Sequence, residues 1–181
     1  MTYAALFAAL TAVGAWIKLP IGTVPYSMQI FFVIFAGILL GSKLGLLSQL
    51  VYILLGLAGI QVFTKPSGLQ YIFEPTFGFL LGFALGAFVA GLIVERLKKN
   101  NFVTYIIATL GGLVVVYACG VPFLWMIQSL YLGKEFSFAL AVKYGFLPFI
   151  VKDLVTCVVI SMIAPPIVKV LTANRLLKRP E

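Results

Sequence analysis

The sequence predicts an all-α integral membrane protein of six transmembrane helices, and three observations carry that reading. Of its 181 residues 62% are hydrophobic and 10% charged, with a mean hydropathy of +1.14. That composition lies outside the range of soluble or disordered chains. Charge is absent from residues 1–17, 19–42, 44–64, 75–94, 100–133 and 154–168, and several of these stretches reach the ~20 residues that cross ~30 Å of hydrocarbon. Basic residues sit at the ends of these stretches rather than in one stripe, so the net charge of +8 signals topology and not nucleic-acid binding. One domain, residues 1–181, is expected. The first stretch has no basic segment ahead of it and further spans behind it, so it reads as a span and not a cleaved signal.

The first helix is expected over residues 2–18, with Ala4, Ala8 and Ala12 at a spacing of four and Ala5 and Ala9 beside them. Small side chains allow a second helix to approach closely in lipid. The residues alone leave open whether that helix belongs to this chain or to another. Pro20, Gly22 and Pro25 make residues 19–27 a loop. The second and third helices, 28–40 and 44–59, are joined so tightly through Gly41, Ser42 and Lys43 that they should be antiparallel neighbours. Gln29 stands at the loop edge, and Gln49 inside the third helix reads as an interhelical hydrogen-bonding residue.

Residues 61–74 form the most polar interior segment, and a loop of that length in a small domain is usually functional. It delivers Gln70, Tyr71, Phe73 and Glu74 to a fourth helix that starts near Pro75 and Thr76, a favourable place for proline. Gly78, Gly82, Gly86 and Ala90 then give that helix its own small-residue face. It ends in the basic loop 95–101, which the positive-inside rule makes cytoplasmic. Both termini are then cytoplasmic. Eight Lys and Arg lie inside (Lys43, Arg96, Lys98, Lys99, Lys169, Arg175, Lys178, Arg179) against five outside (Lys18, Lys65, Lys134, Lys143, Lys152).

The fifth helix starts near Phe102 and is interrupted by Gly120, Val121 and Pro122. A break there, lining a cavity, would make Tyr117, Gly120 and Trp125 pocket residues, whereas a plain proline kink would not. A short amphipathic helix is expected around residues 137–143. The sixth span runs from about Pro148 to Val170 and is loosened at Pro165 and Pro166. It carries Asp153, roughly 7 Å below its start at 1.5 Å per residue.

Asp153 is one of five acids in the chain. A carboxylate in a span costs about 2.5–3.5 kcal/mol at the helix centre, so it faces a cavity or a partner rather than lipid. The chain has no His, which removes the commonest metal ligand and general base. Cys119 and Cys157 lie in apolar runs as packing residues. No phosphate-cradling Gly-rich loop and no nucleophile–base arrangement occurs. Binding or transport is therefore expected over catalysis, with no metal and no cofactor, and any ATP must be used by another polypeptide. The alternatives are an intramembrane acid-dependent enzyme using Glu74 and Asp153, or a structural protein whose helix faces assemble a complex.

Three segments carry a resemblance: Val24-Pro25-Tyr26-Ser27-Met28-Gln29 through Ala58-Gly59, Glu74-Pro75-Thr76-Phe77-Gly78 through Phe83, and Phe146-Leu147-Pro148-Phe149 to Asp153. In order and spacing they resemble the biotin-specific substrate-binding subunits, or S components, of energy-coupling-factor (ECF) transporters, the BioY family. The resemblance implies a six-helix S-component bundle in the prokaryotic cell membrane that captures extracellular biotin. It also implies docking on a transmembrane coupling subunit with two ATPase subunits. Ala4, Ala8 and Ala12 would meet the coupling subunit, and residues 19–27 would form a lid. The walls would be residues 61–74 and the outer ends of the last three spans.

Biotin's ureido ring offers two N–H donors and one acceptor. Asp153 is placed to accept from an N–H, a charge-assisted bond worth about 1.5–3 kcal/mol. Tyr26, Phe73 and Phe149 are expected to cover the apolar parts, and Lys152 or another outer lysine to meet the tail carboxylate. Gln29, Gln70, Glu74, Thr76, Gly78, Tyr117 and Thr156 complete the expected site. Two features depart from the family pattern. Thr156 stands where a lysine is usual, and Glu74-Pro75-Thr76-Phe77-Gly78-Phe79 replaces a Gly-Pro-Thr/Ser-Gly-Gly-Tyr run. Lys152 is expected to replace the missing cation in part, though not isosterically, because adjacent helical residues do not share a face. A receptor for a different vitamin is the alternative within this class.

Overall fold

The structure is a computed structural model that describes residues 2–19 and 26–174. Its elements are α1 (Thr2–Trp16), a two-strand hairpin of β1 (Lys18–Leu19) and β2 (Tyr26–Ser27), α2 (Gln29–Leu40), α3 (Ser42–Leu57), a 3-10 turn (Leu69–Phe73), α4 (Phe77–Leu97), α5 (Phe102–Met126) continued by a π turn (Ile127–Tyr131), α6 (Phe138–Gly145) and α7 (Leu147–Ala173). The strands pair antiparallel, Lys18 opposite Ser27 and Leu19 opposite Tyr26. Residues 20–25, the middle of the expected lid, lie outside the described residues.

Among the described residues three helices are long and apolar enough to cross a membrane: α4, α5 with its π turn, and α7. The other three apolar helices, α1, α2 and α3, are shorter. At 1.5 Å per residue α2 covers only about 18 Å.

The corner between α2 and α3 is a single residue, Gly41, whose φ of +84° lies in the left-handed region that favours glycine. Glu95, reaching over from α4, caps α3: its carboxylate accepts from the Ser42 backbone N–H at 2.7 Å and the Ser42 hydroxyl at 2.8 Å. Asn101 caps α5 by accepting from the Thr104 N–H at 2.9 Å.

Helix α4 is the hub, packing on α2, α3 and α5. Its small residues permit this, as their spacing predicts. A Cβ on Gly82 would lie 2.9 Å from the Val116 Cα, and one on Gly86 2.9 Å from the Gly112 carbonyl oxygen. On the other side, a Cβ on Gly37 of α2 would overlap the Ala87 carbonyl. Gln49 joins α3 to α1, donating to the Thr11 hydroxyl at 3.2 Å.

Two expectations change. No break occurs at Pro122, because α5 continues helically through it to Met126 and the wider turns come afterwards, at Ile127–Tyr131. The bare Cα of Gly120 receives the ring of Phe79, and Trp125 meets Phe138 edge-on, with centroids 6.3 Å apart. In α1, Ala4 and Ala8 are each 2% exposed within the chain itself, because that face of α1 packs on α2 and α3. They are not an open docking surface. Ala12 is partly buried, while Ala5 and Ala9 are exposed.

Candidate ligand-binding site

At the end of the bundle that carries the hairpin, α2, α4, α5 and α7 enclose a cavity of about 490 Å³, its open mouth included. One part of its lining is apolar: Ile30 from α2, Phe79, Leu80 and Phe83 from α4, and Phe149 from α7. These side chains form the wall because the glycines that face α5 are offset by one position. Phe79 and Phe83 directly follow Gly78 and Gly82, so they turn one step round the helix into the cavity.

The polar lining falls into three groups. On α7, Asp153 is fully buried. Its Oδ2 accepts from the Tyr117 hydroxyl at 2.5 Å. Its Oδ1 stands 2.7 Å from Lys152 Nζ. That contact is a charge-assisted ion pair, and Oδ1 keeps a further lone pair. Lys152 Nζ also donates to the Ser27 carbonyl oxygen at 2.7 Å.

On α2, Gln29 is fixed at both ends of its amide: Nε2 donates to the Tyr52 hydroxyl at 2.8 Å, and Oε1 accepts from the Ser27 hydroxyl at 2.9 Å. The Tyr52 hydroxyl in turn donates to the Val62 carbonyl oxygen at 3.0 Å. The third group belongs to the long polar loop and the start of α4. There Tyr71 Oη lies 3.3 Å from Thr64 Oγ1 and 3.0 Å from Thr76 Oγ1. Burial pushes the Tyr71 phenol above its ordinary range, with the two threonine hydroxyls opposing in part, so the phenol keeps its proton. Three hydroxyl protons serve two contacts here, which leaves one donor for a ligand.

The structure thus brings Asp153, Lys152, Tyr117, Gln29, Thr76 and Phe149 to one cavity. Other expected residues lie elsewhere. Thr156 is buried one turn below, donating to the Lys152 carbonyl oxygen at 2.9 Å. Gln70 is exposed and donates to the Ser67 carbonyl oxygen at 2.7 Å. Glu74 is half-buried in an ion pair with Lys65 at 2.6 Å. Gly78 packs α4 under Phe123 of α5. Phe73, expected over the ligand, is 54% exposed and stacks instead on Tyr131, with centroids 5.1 Å apart. The side chain of Tyr26 lies outside the described residues. Sequence reasoning placed Ser27 in the lid and Thr64 and Tyr71 in the wall segment 61–74 without singling any of them out, and it did not name the α4 aromatics. The signal for the last was the offset from the glycine stripe.

An apolar wall faced by an ion-paired carboxylate, an oriented amide and a spare hydroxyl donor suits a small ligand with an apolar body and both N–H donors and acceptors. Glu74 and Asp153 do not line the cavity together, so the two-carboxylate arrangement of an acid-dependent enzyme is absent among the lining residues. Fold and site together define a membrane-embedded protein that binds a small molecule. The chain belongs to the BioY family, whose family model matches residues 1–173.

It is 42% identical over 174 residues to the probable biotin transporter BioY of Lysinibacillus sphaericus, covering 96% of this chain and 89% of that one. It is 41% identical over 162 residues to the biotin transporter BioY of Thermotoga maritima, covering 89% and 90%. Among solved structures it matches the S-component for biotin from an ECF-type ABC transporter at TM-score 0.71 and 25% identity, covering 93% of this chain and 89% of that one.

Proposed function

We propose that this chain is a biotin-binding S component: it captures biotin in the cavity between α2, α4, α5 and α7 and releases it for uptake. Members of the BioY family are transporter subunits and not enzymes. The observation that carries the ligand is Asp153, a fully buried carboxylate in the cavity lining whose Oδ2 is held by Tyr117 and whose Oδ1 pairs with the Lys152 ammonium. A ureido N–H takes a remaining lone pair of that carboxylate. The bicycle lies on Phe79, Phe83 and Phe149, and the hydroxyl cluster around Tyr71 offers a proton to an acceptor oxygen.

The remaining features of this reading rest on family membership and charge distribution. The chain forms one domain that spans the prokaryotic cell membrane six times, with both termini in the cytoplasm. It docks on an ECF coupling subunit and two ATPase subunits, which consume the ATP, and needs no cofactor of its own. The face of α1 offered to the coupling subunit carries Ala5, Ala9 and Ala12, while Ala4 and Ala8 support it from inside.

Equilibrium titration of the purified protein with biotin tests the proposal. The parent should bind tightly, and Asp153→Asn should weaken binding by at least tenfold, the loss of a charge-assisted bond worth about 1.5–3 kcal/mol. No binding by a folded parent, in isolation and with the coupling module, would overturn it.

A further inference from the structure

Residues 152 and 153 are adjacent on α7, so their Cβ atoms point about 100° apart. Asp153 points into the cavity and Lys152 should not, yet the lysine folds back until Nζ lies 2.7 Å from Asp153 Oδ1. The same Nζ donates at 2.7 Å to the carbonyl oxygen of Ser27, the last residue of β2 and 125 positions away. The Ser27 hydroxyl in turn donates to Gln29 Oε1. One ammonium therefore bridges the acid on α7 and the backbone of the hairpin at the cavity mouth. We infer that Lys152 is a positioning residue that couples hairpin docking to the ligand-reading carboxylate, rather than a cation kept for the ligand's tail.

The inference rests on the biotin reading of the site and deepens it. An ammonium is a point charge with three donors on a flexible stem, so it can serve an anion and a carbonyl at once. A ligand N–H that takes a lone pair of Oδ1 leaves the carboxylate charged and so leaves the bridge standing. The ligand and the hairpin then hold the same two-residue unit, and each favours the other. Such coupling is reciprocal: the factor by which bound ligand favours the seated hairpin is the factor by which the seated hairpin favours the ligand.

A reporter for the hairpin is already in place. The Met28 N–H, next to Ser27, donates to the Gly14 carbonyl oxygen at 3.2 Å and the Ile17 carbonyl oxygen at 3.3 Å at the end of α1. Its hydrogen-exchange protection reads whether this end of the hairpin is seated.

The test compares the parent with Lys152→Met, which keeps the apolar stem and removes every donor, and Lys152→Gln, which keeps a neutral donor. Amide exchange at Met28 is followed in ligand-free protein, and biotin dissociation is timed separately. In Lys152→Met the protection of Met28 should fall and biotin should leave about tenfold faster, the scale of one lost bond. Lys152→Gln should lie between it and the parent in both readouts. If the methionine variant does not fold, the same comparison of parent and glutamine variant decides. Parental protection at Met28 in the folded variants overturns the inference, as does lost protection with unchanged dissociation. If the parent binds no biotin while Met28 protection still falls in Lys152→Met, the biotin reading fails and the tether stands.

Discussion

Tyr117 shows how one hydroxyl sets up the site. Its bond to Asp153 Oδ2, at 2.5 Å, fixes the carboxylate plane, with the other oxygen held against Lys152. Tyr117→Phe removes that donor and leaves Oδ2 buried without it, a cost of about 1–3 kcal/mol. Titration of this variant should show biotin affinity lowered about tenfold, and thermal unfolding should show a lower midpoint. Parental values in both would mean that the backbone of α7 orients the acid unaided. Asp153 was legible in the sequence because a lone carboxylate beside fifteen uncharged residues cannot face lipid without a large cost. Lys152's contact with it was legible only as an expectation of charge replacement. Spacing puts adjacent residues on different faces, and only the folded stem shows the ammonium reaching back. Thr64 and Tyr71 were legible only as members of the wall segment 61–74 and not singly, because a loop has no periodicity from which to read a face.

At the scale of elements, α4 is held between α2 and α5 with backbone against backbone. Gly37→Val would push a branched side chain into the Ala87 carbonyl, and such overpacking costs about 1–3 kcal/mol. Its thermal midpoint in detergent should fall clearly, whereas Leu54→Val, on an exposed face of α3, should leave the midpoint close to the parent's. Equal midpoints would show that α2 can shift away without loss. The α4 stripe was legible in the sequence because Gly78, Gly82 and Gly86 recur at a spacing of four and so fall on one face. The α1 stripe was not, because Ala4 and Ala8 are flanked by Ala5 and Ala9, and two neighbouring small faces give no sign of which one is inward. The early helices were legible to within two residues at each end, because Pro and Gly mark where the apolar runs stop being helical.

At the scale of the molecule, charge sorts the two ends. Glu95 is committed to capping α3, so its charge is balanced locally by helix donors. The same end then presents Lys43, Arg96, Lys98 and Lys99 to its surroundings. On the proposed topology that end is cytoplasmic and residues 134–135 are extracellular. In intact cells expressing a cysteine-free background, an impermeant thiol reagent should label Lys134→Cys and spare Lys99→Cys until the cells are opened. The opposite pattern would invert the topology and with it the side from which ligand enters.

The hairpin's two tethers share a property that bears on how such a chain can drift. Lys18 donates to the backbone carbonyl of Thr64 and Lys152 to that of Ser27. Each tether is therefore encoded once, at the lysine, since every residue type supplies a peptide oxygen. Positions 27 and 64 can exchange side chains without losing an acceptor, while a single codon change at either lysine removes a whole tether. Variation around the cavity mouth is thus tolerated unequally, and two cations far apart in the sequence carry the heritable part of its closure.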